Sequence, residues 1–336
     1  MSLDVQQLNR YLAAHIEDFS PIQHCTAFAE GQSNPTYLLR TFTGNYVLRK
    51  KPDGVLLKSA HAVDREFRVQ QALASTDVPV AKMRHLCTDD SVLGTWFYVM
   101  DAVEGKIFWD PALPELQPKQ RARVYDEMNR VLAAIHSVNL GEIGLEDYGK
   151  PGNYFARQLS RWTQQYGATD HAPIASMPPL IDWLNANLPP DDGQVSLVHG
   201  DYRIDNLMFD PDTLTIKAVF DWELSTLGHP LADLAYQIMQ RSMGRDWHIK
   251  GLQGLDTAVL GIPDEQGYVS RYAERRGLSE LRDLKFATVF SFFRFAAICH
   301  GVGARAAAGN AASPDAHAVG AMAEPLANIG LSLTAS

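Results

Sequence analysis

The stretch HGDYRIDN, residues 199–206, sets Asp201 and Asn206 five positions apart, and FDWE adds Asp221 a little further on. Between them the apolar LMF and IKAVF flank the turn-forming DPDT, a pattern that predicts a β-hairpin bringing Asp221 back toward Asn206. Three oxygen-bearing side chains gathered in this way suit one kind of chemistry. Asn206 and Asp221 supply the hard oxygens that Mg²⁺ takes together with substrate phosphates. Asp201 is left as a carboxylate that can orient and deprotonate an attacking hydroxyl. A base and a metal held against a triphosphate are what phosphoryl transfer requires. His199 reads as a structural prop of this loop rather than a proton carrier, and Asp205 and Glu223 as local charges.

Elements that could position these residues are legible on either side. Val5, Leu8, Leu12 and Ile16 recur at helical spacing, and TYLLRTFTGNYVLRK reads as two strands around Thr43, Gly44 and Asn45. SAHAVDREFRVQQALAS puts Ala62, Glu66, Val69 and Leu73 on one helical face, and TWFYVMDAV is β-rich. The Pro-rich WDPALPELQP marks a change of regime. Beyond it Val124, Met128, Val131, Ile135 and Val138 form a helical stripe, and helices dominate from there. The expectation is an α+β protein with a β-rich part at 1–103 and a larger, mostly helical part at 104–336. FATVFSFFRFAAIC carries Arg294 and falls short of the ~20 residues of a membrane span, so it predicts a buried helix. GVGARA follows a helix-like run rather than a strand, which excludes a dinucleotide fingerprint, and no G-x-x-x-x-G-K-[ST] occurs.

Composition narrows the classes further. A chain of 336 residues with 46% hydrophobic content can bury a large core and favours two domains over one. The net charge of -9 argues against general nucleic-acid binding. Cys25, Cys87 and Cys299 are widely spaced and odd in number, which suggests neither a disulfide framework nor a zinc site and fits a reducing cytosol. MSLDVQQLNRYL has no basic segment followed by an apolar one, unlike a signal peptide. These features together fit the cytoplasm, with neither nucleic acid nor membrane as an expected partner.

His199, Asp201 and Asn206 match H-x-D-x-x-x-x-N, and with Asp221 in FDWE they resemble the aminoglycoside phosphotransferase and choline kinase group. The look is closest to the kinase-like domains found alone or fused to acyl-CoA dehydrogenases. The resemblance implies a bilobal protein-kinase-like fold, a small β-rich N-lobe and a larger helical C-lobe, with ATP and Mg²⁺ as cofactors. YVLRK looks like the strand bearing the phosphate-binding lysine, which puts Arg49 on the phosphates and Glu66 beside it as the helical partner. EGQSNPTY stands where the phosphate loop should be, with Ser33 and Asn34 as donors. YVMDAVEG is similar to the hinge that receives adenine, which implies roles for Met100, Asp101 and Val103. Asp233 in HPLADLAYQ looks like the anchor of the catalytic-loop backbone. Arg203 looks like the cation that reaches the transferring phosphoryl group, with pairing to Asp201 or Asp205 as the other reading.

Departures from the pattern are Arg49 in place of lysine, a phosphate loop with the single glycine Gly31, and DWE in place of D-F-G. Arginine can still grip phosphate oxygens with its planar fork. Only 12 positions separate Asp221 from Asp233, too few for the activation loop and peptide platform of a protein kinase. The implied activity is transfer of the γ-phosphoryl group of ATP to a hydroxyl of a small molecule, a hydroxyacyl or related metabolite. The alternatives are an aminoglycoside-type antibiotic kinase and a catalytically inactive nucleotide-binding scaffold.

Overall fold

A computed structural model describes residues 3–28, 34–52, 62–310 and 314–335 of the chain. In chain order the first elements are α1 (Val5–His15), β1 (Ile22–Ala27), β2 (Thr36–Thr41), β3 (Asn45–Lys50), α2 (Val63–Leu73), β4 (Met83–Cys87), α3 (Asp90–Leu93) and β5 (Phe97–Asp101). Next come α4 (Pro118–Ser137), α5 (Tyr154–Gly167), α6 (Met177–Ala186), β6 (Ser196–Val198), β7 (Leu207–Phe209), β8 (Ile216–Val219) and β9 (Thr226–Gly228). The chain ends with α7 (Leu231–Met239), α8 (Thr257–Leu260), α9 (Glu265–Arg275), α10 (Leu284–Ala307), α11 (Ala316–Ala321) and α12 (Ala323–Ser332). Two compact units result. The first holds Met1–Lys106, Ile143–Leu145 and Leu207–Ser225, and the second holds Ile107–Glu142, Glu146–Asn206 and Thr226–Ser336. No single cut in the chain, at 103/104 or elsewhere, separates them.

The first unit is an antiparallel sheet in the order β1-β2-β3-β5-β4. Residues alternate across it with the period of two that strands impose. Tyr46 and Leu48 of β3 and Phe97 and Val99 of β5 pack with Leu8 and Leu12 of α1. Val47, Tyr98 and Met100 pack with Val63 of α2. Arg49 follows Val47 by two and therefore shares the α2 face, whereas Lys50 falls on the other and is buried. The Thr43-Gly44-Asn45 hairpin forms, with the Thr41 N–H donating to the Gly44 carbonyl at 3.0 Å. Two strands had no sequence signal. β1 is an edge strand that buries only Ile22, and MRHLC of β4 buries only Cys87, so neither needs a clear apolar alternation.

The DPDT hairpin also forms and belongs to this unit. Leu207 pairs with Val219, and Asp210 closes the turn by accepting from the Thr213 N–H at 2.8 Å. Lys106 and Phe209 exchange backbone hydrogen bonds at 2.8 Å, and the Val219 N–H donates to the Pro79 carbonyl at 2.9 Å.

The second unit is built around α10. Its length and composition would allow it to cross a membrane, with a mean hydropathy of 1.4, but its apolar residues pack against α5, α7, α11 and α12 as the core helix of this unit. α4 runs the length of the predicted stripe from Val124 to Ile135, and Val138 lies just beyond its end. β6 pairs antiparallel with β9, so the strand entering H-G-D lies beside the one that leads into α7.

Candidate active site

Two groups of charged side chains stand out, one in each unit. In the first unit Arg49 of β3 places Nε 2.9 Å from Glu66 Oε2 on α2, and its NH2 lies 3.0 Å from Asp221 Oδ1 and 3.8 Å from Glu223 Oε2. Glu66 is almost fully buried and accepts two further hydrogen bonds, from Asn34 Nδ2 at 2.9 Å and from the Tyr98 hydroxyl at 3.1 Å. Burial pushes the Glu66 carboxyl up to about 7 against the pull of Arg49. Asp221 sits at the entry of a short turn with φ 62°, a left-handed conformation unusual for a non-glycine residue. The turn is pinned by the fully buried Trp222, whose Nε1 donates to the Val219 carbonyl at 2.9 Å, and by Arg65, which reaches the Ser225 carbonyl at 3.3 Å.

The expected nucleotide contacts sort out unevenly. Ser33 and Gly31 lie outside the described residues. The Asn34 side chain is fully buried and its Nδ2 braces Glu66, so the part of Asn34 left for a phosphate is its backbone. Met100 is buried in the cluster facing α2, and Val103 packs at the margin of that cluster. The Asp101 carboxylate is engaged by Arg84, with NH2 to Oδ2 at 2.8 Å. The backbone N–H groups of Asp101 and Ala102 donate to the carbonyls of Lys82 and Asn45 at 2.9 Å each.

In the second unit β6 delivers the chain into His199-Gly200-Asp201. Gly200 has φ 87°, which a side-chain-bearing residue would strain to adopt. The fully buried Asp233 on α7 accepts from the His199 N–H at 2.7 Å and from the Gly200 N–H at 2.8 Å. His136 Nε2 of α4 lies 3.2 Å from Asp233 Oδ2, and its Nδ1 lies 2.7 Å from the Tyr272 hydroxyl of α9. Because a carboxylate only accepts, His136 carries its proton on Nε2 and Nδ1 accepts from Tyr272. Burial alone would push Asp233 up, but His136 and the Gly200 N–H hold it below the usual carboxylate range. Arg294 of α10 donates to the Gly200 carbonyl at 3.0 Å, and the buried Tyr202 hydroxyl donates to the Met128 carbonyl at 2.9 Å. The loop is thus held by α4, α7 and α10 at once.

Asp201 faces three close neighbours. The Tyr236 hydroxyl of α7 donates to its Oδ1 at 2.8 Å, and Arg203 Nε lies 3.1 Å from the same oxygen. Asn206 Nδ2 donates to the Asp201 carbonyl at 2.9 Å and to Oδ2 at 3.2 Å. Arg203 also reaches Asp205 Oδ2 at 3.2 Å, so it pairs with both carboxylates that the sequence reading named. Burial would raise Asp201, yet Arg203, the Tyr236 phenol and the more distant His199 and Arg294 together hold it below the ordinary carboxylate range. The side chain keeps 20% of its surface open. It is a charged, oriented carboxylate that remains accessible.

The sequence reading missed His136, Tyr272, Tyr236 and the Arg294 contact. Only Tyr236 left a signal in the chain, since DLAY places it three residues after Asp233 and therefore on the same face of α7.

The model of the phosphotransferase enzyme family matches residues 24–281. Acyl-CoA dehydrogenase family member 11 from Homo sapiens is 41% identical over 336 residues, 98% of this chain and 43% of that protein. Acyl-CoA dehydrogenase family member 10 from Mus musculus is 42% identical over 332 residues, 98% of this chain and 31% of that protein. The chain therefore spans less than half the length of these curated relatives. A solved structure from Ralstonia eutropha JMP134, provisionally described as an aminoglycoside phosphotransferase, has a TM-score of 0.90 at 46% identity and covers 99% of both chains. A thermostable mutant of aminoglycoside phosphotransferase APH(4)-Ia, solved with AMP-PNP and hygromycin B, has a TM-score of 0.65 at 16% identity and covers 97% of this chain and 98% of that one. The first of these two carries the kinase-like fold at close similarity, and the second the fold alone.

Proposed function

The chain belongs to the phosphotransferase enzyme family, and on that premise we propose that it transfers the γ-phosphoryl group of ATP to a hydroxyl of a small molecule, a hydroxylated acyl-type metabolite. The observation that carries this reading is Asp201. It is charged, partly open to solvent and fixed in an H-x-D-x-x-x-x-N loop whose backbone the buried Asp233 clamps. A rigid carboxylate of low basicity suits a loose transition state, in which the hydroxyl must be oriented from the start and gives up its proton late.

The other roles are divided between the units. In the second unit Arg203 carries a guanidinium next to the base, suited to the charge that develops on the phosphoryl oxygens. Asn206 donates through its nitrogen to Asp201, which leaves its carbonyl oxygen as a hard donor for Mg²⁺. In the first unit Asp221 offers a second such donor, and its left-handed backbone is the kind of local strain that collects at functional sites. Mg²⁺ held there would neutralise triphosphate charge. Arg49 is the phosphate-gripping cation, kept in place by Glu66. Met100 supplies apolar surface for adenine, and Val103 supplies a backbone N–H that donates to no acceptor among the described residues.

The acceptor class is supported by the relatives named for acyl-CoA dehydrogenation, which match almost the whole chain at about 40% identity. Incubating the protein with Mg²⁺-ATP and a panel of hydroxyacyl thioesters, free hydroxy acids and aminoglycosides, read by ³¹P NMR, tests it. A phosphate monoester on a hydroxyacyl compound is the expected product. Transfer to an aminoglycoside alone would replace the acceptor class, and ATP binding without transfer to any member would leave a nucleotide-binding scaffold.

A further inference from the structure

Asp201 has two carboxylate oxygens, and the structure treats them differently. Oδ1 receives the Tyr236 phenol at 2.8 Å and lies 3.1 Å from Arg203 Nε. Oδ2 receives the Asn206 amide at 3.2 Å, a longer and weaker bond. Tyr236 is buried and its phenol must be the donor, because a carboxylate cannot give a proton back. Burial and the Asp201 charge beside it also raise the phenol well above its ordinary value, so it stays protonated.

The helix that carries Tyr236 makes this contact informative. Asp233 and Tyr236 are three residues apart on α7, and Asp233 already fixes the backbone at His199 and Gly200. One face of one helix therefore sets both the path of the loop and the rotamer of its carboxylate. A residue needed only to fill space there could be phenylalanine, since Tyr236 already packs edge-on against Phe295 at 5.8 Å. The hydroxyl adds nothing to that packing.

We propose that Tyr236 is a positioning residue that holds Oδ1 of Asp201, so that Oδ2 is the oxygen that meets the acceptor hydroxyl. The inference rests on the phosphoryl-transfer reading given above. In the step it serves, the hydroxyl oxygen forms the new bond to the γ-phosphorus while its proton passes to Oδ2. The bond from the γ-phosphorus to the bridging oxygen breaks, and its electron pair leaves on ADP. Tyr236 keeps its own proton throughout. Its phenol favours the charged form of Asp201, alongside Arg203 and His199 from the loop and Arg294 from α10.

Tyr236→Phe in the full chain tests the assignment. A carboxylate no longer held at Oδ1 should meet the bound hydroxyl in the productive geometry less often, so kcat per folded molecule should fall about tenfold while the KM values for acceptor and ATP change little. In an Asp201→Asn background the same substitution should change turnover no further. An unchanged kcat per folded molecule in Tyr236→Phe, with only a lower melting temperature, would make the phenol a structural brace and overturn the proposal. Turnover near wild type in Asp201→Asn would instead overturn the phosphoryl-transfer reading itself, whatever Tyr236 does.

Discussion

Arg49 in the first unit is met by three carboxylates, at 2.9, 3.0 and 3.8 Å, whereas Asp233 in the second is met by two backbone N–H groups and one imidazole. Both are charged groups taken largely out of water. Arg49 is matched by formal charges, and two of its partners, Asp221 and Glu223, stay partly exposed. Such pairs can exchange one anion for another, and a triphosphate is an anion. Asp233 is matched by the backbone itself and is fully buried, so nothing that binds can displace its partners. The first arrangement suits a group that must change partners when a ligand arrives. The second suits a group that must never move.

Breaking each arrangement should give a different kind of loss. Asp221→Ala removes the exchangeable partner that is also the proposed metal donor, and it should abolish Mg²⁺-dependent ATP binding measured by calorimetry. Unchanged affinity would remove Asp221 from the nucleotide site. Asp233→Ala leaves two buried N–H groups and His136 without an acceptor, which should lower the unfolding free energy in urea by about 3–5 kcal/mol. A loss below about 1 kcal/mol would mean that the loop is held by Arg294 and Tyr202 alone.

Smaller effects sharpen the contrast. Arg49→Ala should weaken ATP by roughly 10- to 100-fold, the weight of charge-assisted hydrogen bonds, and adenosine far less. Equal weakening of the two ligands would make Arg49 purely structural. Glu66 supplies a pH test. Burial raises its folded-state value to about 7, above the ordinary 4.5, so the folded protein holds this proton more tightly than the unfolded chain does. The stability it adds is complete below about 4.5 and is lost as pH rises through about 7. Glu66→Gln should flatten that part of the curve of unfolding free energy against pH. A slope that persists in the variant would assign it to another group.

The same contrast explains what could be read from the chain. Arg49 and Glu66 sit on regular elements, where the strand and helix periods of residues 46–50 and 62–73 place them on facing surfaces. Asp201 and Asn206 were legible because the loop that carries them is short and their spacing is local. Tyr236, His136 and Tyr272 act across 35, 97 and 136 positions through hydrogen bonds between a helix and the loop or between two helices, and no local pattern encodes such a distance. Asn34 was read from its place in a loop, and its burial under Glu66 follows from tertiary packing instead.

The central claim is that a charged, clamped carboxylate at 201 receives the proton of an acceptor hydroxyl during phosphoryl transfer. Single-turnover transfer from Mg²⁺-ATP, compared between the wild type and Asp201→Asn with the best acceptor of the panel, tests it most directly. The rate should fall by about 10² to 10⁴ with ATP affinity nearly unchanged. Transfer at the wild-type rate in Asp201→Asn would contradict it.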